Sequence, residues 1–218
     1  MVEWFAGMVD PVQMKFYYLC QPLACTRTHA GSRPIRELAT CWVAIWALKA
    51  TERGSQQHVV RPEAEILRKC VVTTMSRYTS ALERLPGSKA AYVSPLCLGE
   101  PPSIAHNAML LLAIFAQSGH VKNLTPTLHS CALALVQGIL LQQLPDGSMR
   151  TLFTSSGEEE QLLRPAQAAY ALIFAWRMQL ADNRALAAAM RVLAHTARRV
   201  YPTLTPEERQ FCCHWQMQ

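Results

Sequence analysis

The sequence predicts an all-α protein built of stacked helical hairpins, and three observations lead there. Half of the 218 residues are hydrophobic and only 17% are charged, so the chain carries enough apolar surface for a core. A globular chain of this length buries about 70% of its unfolded surface. Apolar side chains then recur at three- and four-residue spacing over six long segments, which is the period of a helix and not of a strand. Finally, segments that are apolar nearly all round alternate with segments that are apolar on one side.

The first 30 residues are expected to be extended and irregular, with a short strand at Lys15-Phe16-Tyr17-Tyr18 and a loop from Gln21 to Pro34. Residues 34–50 (PIRELATCWVAIWALKA) form the first helix, with Ser32 as cap and Pro34 in the first turn. Its apolar residues lie almost all the way round, so it is buried on most sides. Residues 62–85 are amphipathic: Ile66, Leu67, Cys70, Val71, Met75, Tyr78, Leu82 and Leu85 recur at helical spacing, with Arg68, Lys69, Arg77 and Glu83 between them. Pro86-Gly87 stops that helix.

The alternation repeats. Residues 103–117 (SIAHNAMLLLAIFAQ) are apolar all round, and 126–143 form a second helix that ends before Pro145-Asp146-Gly147. Residues 165–179 (PAQAAYALIFAWRMQ) are again apolar all round, and 183–200 are amphipathic. Thr205 with Glu208 fits a capping box for a seventh helix, within which the chain stops without a C-cap signal. The all-round apolar helices start near 34, 103 and 165, some 62 to 69 residues apart. An inner helix shielded by an outer one is the pattern of an α/α toroid made of hairpins. The domain reading is therefore an N-terminal segment 1–30 and an α/α hairpin domain 31–218.

Composition excludes several functions. The net charge of +6 is modest and scattered, Arg191, Arg198 and Arg199 being the nearest thing to a cluster. Nucleic-acid binding needs a denser basic face, so no nucleic acid is expected. No apolar run reaches membrane-spanning length, so no membrane partner is expected either. The start, Met1-Val2-Glu3-Trp4, lacks the basic and apolar regions of a signal peptide. Eight irregularly spaced cysteines without a CxxC pair then read as reduced thiols in the cytoplasm. No Gly-rich phosphate loop, nucleophile elbow or HExxH motif occurs, so no cofactor is expected.

The stretch Leu141-Gln142-Gln143-Leu144-Pro145-Asp146-Gly147-Ser148, followed by an extended piece and the Pro165-led Ala/Leu-rich helix, resembles α/α-toroid proteins of the six-hairpin glycosidase type. Thr28 through Trp46, Ser103 through Ala108, and Glu207 through Met217 resemble further inner helices of the same fold. The resemblance covers most of 16–218 loosely and implies fold more than chemistry. It implies a carbohydrate-binding or carbohydrate-processing protein, with hydrolysis or lyase chemistry on an anionic oligosaccharide if active. Such relatives often carry Pro-Gly-Glu-Ala where this chain has Pro165-Ala166-Gln167-Ala168, and Asp where it has Cys213. Losing both carboxylates implies impaired catalysis. A closed six-hairpin ring needs about twelve helices. With seven expected here, the chain reads as half a toroid, an open array or a truncated chain.

In such an arrangement the loops entering the inner helices line one mouth, where helix N-termini favour anions. Acid/base candidates are Glu37, Asp146 and the run Glu158, Glu159, Glu160. A two-carboxylate mechanism needs a pair about 5–10 Å apart with one raised pKa. Against that, Glu37 suits a helix N-terminus electrostatically, Asp146 suits a Pro-Asp-Gly turn, and a Glu run suits a solvated loop. Substrate-binding candidates are Arg33, Arg36, His106 and Arg164, whose cationic or imidazole groups meet carboxylates, together with Gln167, His214 and Trp215. His29 and Asn107 complete the mouth set, while Trp42, Trp46 and Trp176 are expected in the core.

The competing class is a non-enzymatic helical module that binds a protein partner or completes its ring by self-association. Third is a zinc-dependent toroid cyclase. Lanthionine-forming cyclases hold zinc with a Cys-His pair and a distant Cys, and Cys212-Cys213-His214 supplies a pair without a third ligand in a matching context. No metal ligand set is therefore assigned.

Overall fold

The structure is a computed structural model that describes residues 1–21, 26–29, 33–54, 62–154, 163–203 and 205. Among these the chain is mostly helical: α1 (Val2–Gly7), α2 (Pro34–Gly54), α3 (Pro62–Ser80), α4 (Pro95–Leu98), α5 (Ile104–Ser118), α6 (Pro126–Leu141), α7 (Leu163–Arg177) and α8 (Asn183–His195). Three small antiparallel ladders join them: β1 (Val9–Asp10) with β2 (Lys15–Phe16), β3 (Leu19–Gln21) with β4 (Thr26–Thr28), and β5 (Leu82–Arg84) with β6 (Ala91–Val93). The all-α expectation therefore holds.

Capping residues set the helix ends. Thr125 accepts from the Leu128 N–H at 3.3 Å ahead of Pro126, and Asp182 accepts from the Arg184 N–H at 2.9 Å. Gly119, in the left-handed region at φ 70°, ends α5. That helix is the centre of the molecule, with every residue from Ile104 to Ala116 buried. This matches an apolar composition without a polar face.

Helices α2 and α7 both pack on α5, and all three run the same way. Lys49, near the end of α2, reaches Gly119 at the end of α5. Phe115 and Phe174, both late in their helices, have ring centroids 6.1 Å apart. Trp42 of α2 and Tyr170 of α7, both mid-helix, meet edge to face at 6.4 Å. Each of the three is backed by the next long helix in antiparallel sense. Glu37 early in α2 meets Tyr78 late in α3, and Asn107 early in α5 donates to Leu135 O late in α6 at 3.5 Å. Pro165 of α7 shares a small cleft with Val192 and Thr196 at the end of α8. Gly138 lets α6 press onto β6: a Cβ there would strike the Ala91 carbonyl oxygen.

The structure corrects several expected boundaries. The helix expected over 62–85 stops at Ser80, because Leu82–Arg84 turns into β5. Pro86 and Gly87 (φ 71°) then make a hairpin turn where a simple helix stop was expected. α2 runs on to Gly54, and α8 loosens after His195 into a π turn over Thr196–Val200. The N-terminal segment holds a helix, α1, whose Val2 and Phe5 are buried and which packs on α3. Six residues are too few for periodicity to reveal that helix. Trp46 and Trp176 are not core residues, being 42% and 38% exposed. All-round apolar composition cannot tell which turn of a helix ends beyond its neighbours. The expected seventh helix lies outside the described residues.

Candidate mouth of the inner helices

Because α2, α5 and α7 are parallel, their N-terminal ends lie toward one face of the molecule. The α5 end is built around His106. Ser103 caps the helix, and its N–H donates to His106 Nδ1 at 3.1 Å. The Ser103 hydroxyl lies 2.9 Å from the same nitrogen. This is a capping box with histidine in the place of the usual Glu or Gln. With Nδ1 accepting, the ring proton sits on Nε2, which donates to Glu100 Oε1 at 2.8 Å. His106 is 2% exposed and Glu100 32%, so the imidazole is sealed while the carboxylate reaches solvent. Burial lowers the His106 pKa, Glu100 opposes that shift, and the Arg164 charge reinforces it. Arg164, in the first turn of α7, is thus near enough for its charge to act on His106.

Aromatic rings flank this group. The Phe153 N–H donates to Pro102 O at 3.0 Å, which ties the strand after the Pro-Asp-Gly turn to the Glu100–Ser103 loop. Phe153 stacks on Tyr92 with centroids 5.2 Å apart and planes 17° apart. The Tyr92 hydroxyl donates to Glu83 Oε2 at 3.1 Å, and Ser94 Oγ donates to Glu83 Oε1. The Glu100–His106 pair and the Glu83–Tyr92–Phe153 group are thus joined through the Glu100–Ser103 loop.

The α2 end is closed. Glu37 is buried and accepts from the Tyr78 hydroxyl at 2.6 Å. Arg77 Nη2 lies 2.5 Å from Glu37 Oε1, off the line of a hydrogen bond, so that contact is charge pairing. The Arg77 guanidinium also stands over the Tyr78 ring at 4.8 Å. Burial, with the neighbouring Glu37 charge, pushes the Tyr78 hydroxyl far above the usual phenol range. Every oxygen of Glu37 is therefore engaged, and it acts as a structural anchor between α2 and α3.

The other candidates fall in different places. The Arg33 carbonyl accepts the Arg36 and Glu37 N–H groups at 2.9 and 3.0 Å and so starts α2. Arg36 stands over the Tyr18 ring at 5.2 Å. Asp146 is exposed, and its Oδ1 accepts from Ser148 N–H at 3.0 Å and Ser148 Oγ at 2.6 Å. Those bonds hold its carboxyl below the usual range. Gly147 at φ 92° closes this turn against the Arg191 backbone, so Asp146 does a turn's work. Gln167, in α7, is half-buried, with Oε1 buried and lacking a hydrogen-bond partner. Asn107 is spent on structure, donating to Ala91 O at 2.9 Å and accepting from the Val93 N–H at 3.4 Å. His29 sits in the N-terminal segment, bonded to Asp10 and Phe16. Glu158, Glu159, Glu160, His214 and Trp215 lie outside the described residues.

Glu100, Glu83, Tyr92 and Phe153 were missed by sequence reasoning. One local signal was present: Ser103-Ile104-Ala105-His106 is a capping box with His at its last position. The contacts of Phe153 with Pro102 and Tyr92 are long-range and left no local trace.

Among the described residues no group of three or more His, Cys, Asp or Glu could hold a metal ion, and Cys212, Cys213 and His214 fall outside them. Cys41, Cys70, Cys97 and Cys131 are free. Burial pushes the Cys70 thiol up to about 12 and Cys41 higher still, so neither is a nucleophile. No described helix is long and apolar enough to cross a membrane. No protein-family model matches the chain, and no curated protein matches it.

Proposed function

We propose that the chain is a carbohydrate-binding or carbohydrate-processing α/α toroid, or half of one, of the six-hairpin type. One observation carries this reading. Three parallel helices begin toward one face, and at the α5 end the solvent-reaching Glu100 carboxylate stands on His106 beside the Tyr92–Phe153 stack, within the field of Arg164. Aromatic faces suit the apolar faces of sugar rings, and a carboxylate accepts from their hydroxyls. Arg164 adds a fork for an anionic sugar, which makes a uronate-bearing oligosaccharide the first ligand class. Catalysis is impaired or absent in this reading. Glu37 is sealed, Asp146 serves a turn, and Gln167 stands where an acid would be needed for a second carboxylate. The expected setting is the cytoplasm, which the four free thiols support.

The test is titration calorimetry of the purified chain with neutral and uronate oligosaccharides. Saturable binding by one sugar class that is lost in Tyr92→Ala carries the reading. Heats no larger than dilution across the panel end it.

The second reading, a non-enzymatic module that binds protein or self-associates into a ring, draws on a specific observation. Val43 and Trp46 are 41% and 42% exposed on one helix, α2. Sedimentation across a concentration series tests it, with Trp46→Lys expected to abolish any association.

A further inference from the structure

Helices α2 and α7 meet along a seam that stays partly open to solvent. Burial along α7 shows which side it is. Ala168, Ala169, Ala171, Leu172 and Ala175 are buried, while Gln167, Tyr170 and Phe174 are half-buried and Arg177 is exposed. The last four are spaced three and four residues apart, so they share one face of the helix. From Gln167 to Arg177 that face is about 15 Å long. On α2 the seam is met by Trp42, half-buried, and by Trp46, one turn on and 42% exposed. Trp42 meets Tyr170 edge to face at 6.4 Å, and Tyr170 stands 5.8 Å from Phe174. Phe174 rests on buried Phe115 of α5, and the Arg177 guanidinium stands over the Phe174 ring at 5.9 Å. A run of rings therefore lines the seam, with a cation at its far end.

The polar groups on this face are not used by the fold. Gln167 Oε1 is buried and accepts no hydrogen bond. Among the described residues the Tyr170 hydroxyl and the Trp42 and Trp46 indole N–H groups make none either. A buried acceptor without a partner costs stability, so packing gives no reason for it. Charge points the same way. α7 contains no acid, and both acids of α2 are engaged, Glu37 by Tyr78 and Arg77, Glu52 by Arg68. A second copy of the chain docked here would strand the hydroxyl and indole groups and set cation against cation. A ligand with hydroxyl groups, apolar ring faces and a carboxylate meets each of these features.

We propose that the α2–α7 seam is a subsite for the far portion of a uronate oligosaccharide. Sugar rings stack on Tyr170 and Trp46, Gln167 Oε1 accepts from a sugar hydroxyl, and Arg177 takes a carboxylate. This rests on the carbohydrate reading and extends it to a second set of residues. Gln167 stands one turn along α7 from Arg164, whose charge acts on His106, so the subsite continues from the Glu100 end. Gln167 is held for the ligand and not for the fold.

Titration calorimetry with a short and a long galacturonate oligosaccharide, paired with melts of the ligand-free chains, tests it. Gln167→Met keeps the side-chain length and removes the acceptor. Its ligand-free Tm should be no lower than that of the unmodified chain, since no hydrogen bond is lost. It should bind the long oligosaccharide about tenfold more weakly, the effect of one hydrogen bond. Arg177→Gln should weaken the long galacturonate by a similar factor and leave a neutral oligosaccharide of the same length unaffected. The short galacturonate, held at the Glu100 end, should bind both variants as it binds the unmodified chain. Unchanged affinity for the long galacturonate in either variant, with binding still lost in Tyr92→Ala, overturns the subsite and leaves the carbohydrate reading standing. No binding to the unmodified chain overturns both. A lower ligand-free Tm in Gln167→Met makes Gln167 a packing residue and overturns the assignment. So does self-association of the chain that Trp46→Lys abolishes.

Discussion

Two of the parallel helices, α2 and α5, begin on a buried polar network, and the two networks do different work. At α2, Glu37 is enclosed between Tyr78 and Arg77, with both oxygens engaged. At α5, Glu100 lies outside the helix, holds one oxygen to buried His106, and is 32% exposed. Both place a carboxylate near the positive end of a helix, as electrostatics favours. What separates them is the side from which the acid arrives. Glu37 is in the helix and faces a neighbouring helix, so its charge is spent on packing. Glu100 comes from a Pro-bearing loop, so its charge stays within reach of solvent. Residue type and a helix N-terminus therefore do not identify a site; access does.

The largest expected effect breaks the closed network. Glu37→Leu leaves Arg77 facing a buried apolar group. Removing one partner of a fully buried pair costs about 3–5 kcal/mol. Arg77 is 32% exposed, which reduces this to about 2–3 kcal/mol. Calorimetry should then show a Tm about 4–12 °C lower. Next comes Gly138→Ala, where the added methyl meets the Ala91 carbonyl. Overpacking of this kind costs about 1–3 kcal/mol, read as a shifted urea midpoint with unchanged slope.

The open network predicts a smaller effect that depends on pH. Burial lowers the His106 pKa in the folded state, so between that value and the unfolded value of about 6.5 the unfolded chain binds more protons. His106 thus makes stability rise with pH through that window, and its contribution is lost as pH falls toward the folded pKa. Glu100 opposes the shift. Glu100→Gln should therefore steepen the slope of Tm between pH 5 and 6.5 while changing Tm at pH 7.5 little. A slope unchanged from the unmodified chain would separate His106 from Glu100. Smallest is Trp46→Ser: a side chain 42% exposed should change Tm by no more than about 2 °C.

Much of this was legible in the sequence, for reasons that differ by element. Helices α2, α5 and α7 were legible because all-round apolar composition marks an interior helix. The Gln143-to-Ser148 turn was legible because Pro, Asp and Gly each impose one local geometry. β5 and β6 were not, since Leu82-Glu83-Arg84 continues a helical pattern and only pairing with Ala91–Val93 makes it a strand. Among the candidates, Glu37 and Asn107 were placed near the right helix ends, where their side chains bond within the fold. The Arg164 charge does act on the His106 imidazole. Glu100 escaped notice because its partner lies six residues on, across two prolines, with no periodic signal to join them.

The contrast between the two carboxylates is tested most directly by one set of melts. The unmodified chain, Glu37→Gln and Glu100→Gln are each melted alone and with the best-binding oligosaccharide at 100 times its Kd. The account predicts that Glu37→Gln lowers Tm but keeps the ligand-induced rise of about 5–11 °C, which follows from about 2.7 kcal/mol at this size. It predicts that Glu100→Gln keeps its own Tm at pH 7.5 and loses the rise. A full rise in Glu100→Gln, or its loss in a folded Glu37→Gln, would contradict the assignment of the open carboxylate to binding and the closed one to structure.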